Sequence, residues 1–291
     1  MKIGVQTPFR LDLTAAIFRR LSTNLVDAYD GSVFRRAIGE GRRAAIITVE
    51  QRSPEEVLVS LSGASDAHDA EALVPRMLGT SVNLEPFYTA AKRIAWLAPL
   101  AAKARGVKPP CYPSVWEACV NSIVYQQISI YAAGAILRRV LERYAAPASV
   151  EGDLLRAFPG PETLLRADPN DLRSLGMSVN KIASVRAIGE AFVSGEIEER
   201  AFERQSTEQI MESLTRVPGV GPWTAAVIAL RGFGRLDVFP MNDSGVARRL
   251  KDQGDGVVDV DRALAKLGKQ RGMLYYHVLL DGLAKRGDIL L

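Results

Sequence analysis

From about Leu84 to the end, the sequence is a succession of short segments with apolar residues at three- and four-residue steps, most ending near Gly, Pro or Asn. This period is that of amphipathic helices, and short helices with frequent breaks suit a compact orthogonal bundle better than a coiled coil. The predicted helices are Phe87–Ala104, Ser114–Tyr144, Pro161–Ala167, Asp171–Leu175, Asn180–Ser194, Thr207–Arg216, Pro222–Gly232, Ser244–Asp252 and Arg271–Lys285. The sequence therefore predicts a mostly helical domain over residues 84–291.

The first eighty or so residues have a different pattern. Arg43–Glu50 and Glu56–Ser62 are β-branched runs of strand length, and the polar turn Gln51–Pro54 between them predicts a hairpin. The stretch Asp66–Leu78 returns to helical spacing. Residues 1–83 are therefore predicted to form an N-terminal α+β domain, in which we recognise no chemical motif.

Composition narrows the class of protein only slightly. With 47% hydrophobic and 24% charged residues, the chain has the balance of an ordinary globular protein. A net charge of +4 makes a polyanionic partner plausible, although many basic proteins never contact nucleic acid. The two cysteines, Cys111 and Cys119, are too few for a four-cysteine zinc site or an iron–sulfur cluster, and we expect buried thiols. The N-terminus lacks a secretory signal, which predicts an intracellular protein.

One motif stands between two predicted helices. Val217-Pro218-Gly219-Val220-Gly221 carries two closely spaced glycines, and Pro222 follows at a position suited to the first helical turn. Free N–H groups at such a helix N-terminus can bind a phosphate oxygen, and carbonyls of the hairpin could also hold a monovalent cation, Na⁺ or K⁺. A simple glycine-rich turn between packed helices explains the same residues.

The surrounding sequence resembles a known family. Leu214–Asp243, LTRVPGVGPWTAAVIALRGFGRLDVFPMND, resembles the helix-hairpin-helix and catalytic loop of the DNA glycosylase superfamily, in particular its 3-methyladenine glycosylase II branch. Trp116–Ala133 and Leu175–Phe192 follow the family's order as well. The resemblance implies two helical subdomains with a cleft between them. It also implies a monomeric enzyme that binds double-stranded DNA with damaged bases and hydrolyses the N-glycosidic bond of alkylated purines, leaving an abasic site.

Asp243, twenty residues after Trp223, occupies the position of the family's catalytic aspartate. Breaking an N-glycosidic bond builds positive charge on the deoxyribose, and a fixed anion in a dry cleft stabilises that charge more than it stabilises the ground state. The carboxylate could also orient or deprotonate the attacking water, and the sequence does not separate these roles. Alternatively, Asp243 only caps the helix that follows.

Bifunctional members of the superfamily carry a lysine where this chain has Trp223, and they use it to form a Schiff base. Tryptophan has no amine, so the resemblance implies a monofunctional hydrolase without redox cofactor or catalytic metal. The indole of Trp223 could stack on a cationic base, with Tyr125 as another wall of the base pocket, although both side chains also suit a hydrophobic core.

Other positions carry roles from the same resemblance. Gln126 and Gln127 lie where the family inserts a wedge into the gap left by an everted nucleotide, within the predicted helix Ser114–Tyr144. Thr224, together with residues 217–221, belongs to the phosphate-binding hairpin. The basic residues Lys181, Arg248 and Arg249 could meet backbone phosphates or be ordinary surface charge. His277, within an apolar run, is expected to be buried with its hydrogen bonds satisfied.

Two other functions fit the same residues. The pocket could accept oxidised or deaminated bases, because one scaffold carries different specificities. The chain could also be a non-catalytic DNA-binding module that uses the hairpin only to hold the backbone. Asp243 is the residue that distinguishes an enzyme from such a module.

Overall fold

The computed structural model describes residues 1–63, 67–150, 152–251 and 258–291, and over these residues the protein is mostly helical with a small N-terminal sheet, as predicted. The strands are β1 (Lys2–Gly4), β2 (Asp27–Tyr29), β3 (Val33–Ile38), β4 (Ala45–Ser53), β5 (Glu56–Gly63), β6 (Ala146–Val150) and β7 (Asp153–Ala157). The helices are α1 (Leu11–Arg19), α2 (Ala67–Leu78), α3 (Glu85–Ala91), α4 (Leu97–Lys103), α5 (Val115–Val124), α6 (Ile130–Tyr144), α7 (Pro161–Arg166), α8 (Pro169–Ser174), α9 (Val179–Val193), α10 (Glu199–Glu203), α11 (Thr207–Thr215), α12 (Pro222–Gly232), α13 (Ser244–Lys251), α14 (Val260–Leu267) and α15 (Gly272–Lys285).

The N-terminal sheet is antiparallel, with strand order β1-β5-β4-β3-β2. The predicted hairpin is its β4–β5 pair, which confirms the α+β reading of this region. A single buried cluster joins α1, the sheet and α2 through side chains that include Phe18, Phe34, Val57 and Met77. The sequence did not reveal β1, β2, β3 or α1, whose short lengths leave little periodicity to recognise.

A second strand pair, β6–β7, lies within the region that the sequence indicated as helical. β6 has a single β-branched residue, Val150, and β7 has none, so the composition of the pair gave no strand signal. Ala148, Leu155 and Ala157 of this pair form a small buried cluster with Ala37 and Ile46 of the N-terminal sheet. The two regions thus pack together, and the boundary between residues 83 and 84 stays a prediction.

Buried ion pairs also connect the sheet to the helices. Arg36 on β3 is fully buried and pairs with Asp27 on β2 and with Glu117 on α5. The attraction between the guanidinium and the two carboxylates offsets part of the cost of taking these charges out of water. The trio therefore fixes α5, which leads directly to the cleft described below, against the sheet.

The structure corrects two predicted helices. Ser114–Tyr144 is not one helix but α5 and α6, separated by a loop in which Gln127 has a positive φ of 57°. Ser114 caps α5, as predicted, and Ser129 caps α6 by accepting from the Ala132 N–H. A serine before a helical pattern marks a helix start, but the continuous apolar spacing through Ser129 obscured that mark in the sequence. The predicted helix Phe87–Ala104 is likewise divided into α3 and α4.

The remaining predicted helices are present within a few residues of their expected bounds, and Asp252, the last predicted residue of α13, lies outside the described residues. Helix α5 packs against both α9 and α12 in the centre of the helical region. Cys111 and Cys119 are free and buried there, as expected, and burial raises the pKa of the Cys111 thiol to about 11. None of the helices in the described ranges is long and apolar enough to span a membrane.

His277 on α15 is fully buried, but its hydrogen bonding is only half as predicted. Its Nδ1 lies 2.8 Å from the Met273 carbonyl oxygen, whereas Nε2 has no hydrogen-bond partner in the described part of the chain. Burial lowers the pKa of the imidazole to about 4, so the folded protein holds the neutral ring at pH 7.

We expect His277 to make the folded state less stable in acid. Between its ordinary pKa of about 6.5 and the folded value, the unfolded chain binds a proton that the native state excludes, so the free energy of unfolding falls as the pH falls. At pH 5 the loss relative to pH 7 amounts to about 2 kcal/mol. Denaturant unfolding of the wild type and of His277→Gln at pH 5 and pH 7 measures this loss in the free energy of unfolding. Equal pH dependence in the two proteins would contradict the assignment.

Candidate functional site

An open cleft of about 1310 Å³ crosses the helical region. Its walls come from the end of α1, the loop between α5 and α6, the hairpin before α12, the loop before α13, and α15. All the residues predicted for the base pocket, the wedge and the hairpin line this cleft, and so do Asp243, Arg248 and Arg249. The fold therefore brings segments that are far apart in sequence to one surface.

Two buried valines hold the hairpin between α11 and α12 against the hydrophobic core. Val217 and Val220 are buried and the Val220 N–H donates to the Val217 carbonyl at 3.1 Å, whereas Pro218, Gly219 and Gly221 are exposed. Pro222 begins α12, as predicted. The N–H groups of Gly219 and Gly221 have no acceptor in the described part of the chain, and those of the first turn of α12 have no intrahelical one. This arrangement can receive a phosphate oxygen.

Gly219 is required where it stands. Its φ is +84°, and a Cβ added there would lie 1.8 Å from the Oγ of Ser184 on α9. Only a residue without a side chain combines this conformation with so close an approach to the neighbouring helix. Contact with α9 thus fixes the direction in which the hairpin presents its N–H groups.

Gln126 holds the hairpin from the other side. Its Nε2 donates to the Oγ1 of buried Thr224 at 2.7 Å and to the carbonyl oxygen of Gly219 at 3.0 Å. In this structure Gln126 therefore braces the hairpin, and its role as a wedge stays a prediction. Gln127 is exposed at the cleft, and the next residue, Ile128, exposes 38% of an apolar side chain that the sequence did not single out.

Asp243 lies on the cleft wall with one hydrogen bond to each oxygen. Oδ1 accepts from the Val246 N–H at 2.9 Å, which caps α13, and Oδ2 accepts from Trp223 Nε1 at 3.2 Å. The side chain is partly exposed. The capping role considered from the sequence is thus present, and together with the indole it holds the carboxylate in one orientation toward the cleft.

Trp223 and Tyr125 are both partly exposed and line the cleft, so neither is wholly a core residue. Trp223 stands in the first turn of α12, and its N–H is occupied by Asp243. The guanidinium of Arg20, at the end of α1, lies 5.6 Å from the centroid of the Tyr125 ring. The predicted pocket therefore has an aromatic wall of Trp223 and Tyr125, with the guanidinium of Arg20 against the Tyr125 ring.

The three basic residues proposed for phosphate contact occupy different environments. Lys181 Nζ donates to the carbonyl oxygens of Val124 and Gln126 at 2.6 and 2.9 Å, so it caps the end of α5 and braces the loop after it. Arg249 lies against α15, where a Cβ on Gly282 would meet its Nε at 2.2 Å. Of the three, Arg248 alone is exposed at the cleft in the described structure.

Sequence reasoning missed a second layer of the cleft. Arg20, Arg231, Tyr112 and Tyr275 line it, and the tyrosines and Arg231 are buried. The charge of Arg231 directly after the apolar run Ala225–Leu230 was the available signal, because an unpaired charge on a buried helix is costly. Arg20 and the tyrosines gave none, since nothing in the sequence places α1 and α15 beside α12.

The comparisons with known proteins agree with this geometry. The family model described as HhH-GPD superfamily base excision DNA repair protein matches residues 120–254. DNA-3-methyladenine glycosylase 2 of Escherichia coli is 25% identical over 84% of each chain. DNA-3-methyladenine glycosylase 1 of Schizosaccharomyces pombe is 33% identical over 45% of this chain and 54% of its own length. The chain spans about half the length of several curated relatives, such as the Bacillus subtilis DNA-3-methyladenine glycosylase, of which it covers 56%.

Solved structures show the same fold. A 3-methyladenine DNA glycosylase from Archaeoglobus fulgidus matches 96% of this chain with a TM-score of 0.81 at 23% identity. The match covers 97% of that protein, including the N-terminal sheet region. The hairpin and most of the cleft-lining residues thus lie in the part of the chain, residues 120–254, that belongs to the helix-hairpin-helix (HhH-GPD) superfamily of base excision DNA repair proteins.

Proposed function

We propose that this protein is a monofunctional DNA glycosylase that hydrolyses the N-glycosidic bond of alkylated purines, such as 3-methyladenine, in double-stranded DNA. The observation that carries the proposal is the Asp243 carboxylate, held by two hydrogen bonds on the wall of a cleft that the hairpin also faces. The names of its relatives, DNA-3-methyladenine glycosylases from bacteria and yeasts, support it.

DNA enters the proposal through the hairpin and the basic wall of the cleft. The free N–H groups of Gly219, of Gly221 and of the first turn of α12 receive a backbone phosphate, while exposed Arg248 adds an ionic contact. A monovalent cation held by hairpin carbonyls would bridge to the same phosphate. The carbonyls of Val217, Gly219 and Gly221 already accept hydrogen bonds within the protein. The carbonyls of Pro218 and Val220 are therefore the ones that would hold such an ion.

The chemistry follows from the position of the carboxylate. An extruded nucleotide places its base against Trp223 and Tyr125 and its sugar beside Asp243, where the negative charge stabilises the oxocarbenium-like transition state. Water then completes the hydrolysis and leaves an abasic site. Trp223 has no amine, so no Schiff base forms at that position and the DNA strand stays intact. The monomeric state stays a prediction from the sequence.

Incubation of methylated duplex DNA with the wild-type protein tests the proposal. We expect free 3-methyladenine in the supernatant and abasic sites that break the strand only after alkali treatment. Strand breaks before alkali would indicate a lyase and contradict the monofunctional assignment. Tight binding of the duplex without release of any base would instead favour the non-catalytic module.

A further inference from the structure

Two arginines with little exposure, Arg231 and Arg20, line the cleft and place their guanidinium groups against aromatic rings. Arg231 on α12 is only 1% exposed yet lines the cleft, with its guanidinium carbon 4.5 Å from the centroid of the Tyr112 ring. Arg20 lines the cleft beside it, with its guanidinium over Tyr125. Both contacts are with ring faces, which attract a cation but accept no conventional hydrogen bond.

These guanidiniums have N–H groups left over. Nε and Nη2 of Arg231, and Nη2 of Arg20, are buried without a hydrogen-bond acceptor in the described part of the chain. Arg20 Nε donates a long hydrogen bond to the Ile17 carbonyl oxygen at 3.3 Å, and the Arg20 side chain also contacts Tyr275. An arginine cannot lose its proton to avoid this cost, so each unpaired N–H is unfavourable. These nitrogens have almost no contact with solvent, so a small rotation of the guanidinium toward an acceptor in the cleft would remove that cost.

The charge balance of the cleft points the same way. Among its described lining residues are six arginines, at positions 20, 216, 231, 248, 249 and 286, and one acidic residue, Asp243. The exposed Arg216 and Arg248 suit the DNA backbone, whereas Arg20 and Arg231 lie beside the aromatic rings and suit a base bound against them. A neutral base with a carbonyl oxygen gains hydrogen bonds there, whereas a cationic base adds a like charge in a poorly solvated place.

We propose that Arg20 and Arg231 are specificity-determining residues that donate hydrogen bonds to an acceptor edge of the everted base, favouring neutral purines with a carbonyl group. Hypoxanthine, the deaminated form of adenine, has this chemistry. This selection rests on the proposed function and acts against the attraction of Trp223 for cationic alkylated bases. The balance between the two arginines and Trp223 then determines which damaged bases the cleft accepts.

Three lesions separate the contribution of charge from that of the acceptor. Hypoxanthine is neutral and has a carbonyl oxygen, 7-methylguanine is cationic as a nucleotide and has one, and 3-methyladenine is cationic as a nucleotide and has none. Single-turnover release of each base would be measured with wild type, Arg20→Met and Arg231→Met. We expect hypoxanthine release to fall at least about tenfold in each variant, in line with the loss of a charged hydrogen bond, while 3-methyladenine release stays level or rises. Release of 7-methylguanine should lie between the two.

Arg231 is fully buried, so its variant is checked by thermal unfolding, and the less buried Arg20 serves as the independent case if Arg231→Met does not fold. Arg216→Met is the matched control, because Arg216 lines the cleft mouth with its side chain 68% exposed. It should change the release of all three bases in parallel. A ratio of hypoxanthine to 3-methyladenine release that Arg20→Met leaves unchanged would overturn the inference. Failure of the wild type to release any base would instead overturn the proposed function.

Discussion

Asp243→Asn is expected to reduce base release by at least about a hundredfold, while binding to a duplex with an abasic site stays nearly intact. Asn keeps an oxygen that can accept from the Val246 N–H, and it is as good a helix cap as Asp, so α13 retains its start. What disappears is the negative charge beside the sugar. Single-turnover release from methylated DNA and a binding titration on the abasic duplex measure the two quantities.

Asp259 provides a matched control for this substitution. It caps α14 as Asp243 caps α13, with its Oδ1 accepting from the Arg262 N–H at 2.9 Å, but it does not line the cleft. Asp259→Asn should therefore leave base release within about twofold of the wild type, because surface changes of this kind alter stability little. Full activity in Asp243→Asn would remove the residue from the catalytic site, and equal losses in both variants would reduce its role to capping.

The sequence predicted the helical elements best where local signals agreed. Pro222 at the start of α12, Ser114 before α5 and the hairpin of residues 217–221 each combine a backbone preference with an apolar pattern. The prediction failed where a local break competed with continuous apolar spacing. The loop after α5 depends on Lys181, whose ammonium binds two carbonyls at its start, and a contact 55 residues away leaves no trace in local periodicity.

The candidate site likewise has one part that the sequence could locate and another part that it could not. Asp243, Trp223 and the hairpin follow from a contiguous motif, so the resemblance could locate them. The inner wall could not be found, because Arg20, Tyr112 and Tyr275 come from three separate segments that only tertiary packing brings together. Gln126 shows the intermediate case: its place beside the cleft was predicted, but its bonds to Gly219 and Thr224 depend on the exact approach of two helices.

Gly219→Ala is expected to destabilise the protein by about 2–5 kcal/mol and to weaken DNA binding. A left-handed backbone costs a residue with a Cβ about 1–2 kcal/mol, and forcing an extra carbon into a packed contact costs about 1–3 kcal/mol. Here both apply, since φ is +84° and the new Cβ would lie 1.8 Å from Ser184 Oγ. Relief of the clash moves the hairpin away from α9, so the N–H groups of the hairpin no longer point toward the phosphate.

Gly221→Ala is the control two residues along the same hairpin. Its φ is −85° and a Cβ there meets nothing within 4 Å, so stability should change by less than about 1 kcal/mol. Ser184→Gly in the Gly219→Ala background separates the two costs, because it removes the obstructing side chain and leaves the backbone strain. Denaturant unfolding of the wild type, Gly219→Ala, Ser184→Gly and the double variant forms a double-mutant cycle, in which we expect the double variant to recover part of the stability that Gly219→Ala loses. If Gly219→Ala proves as stable as Gly221→Ala, the contact with α9 does not position the hairpin.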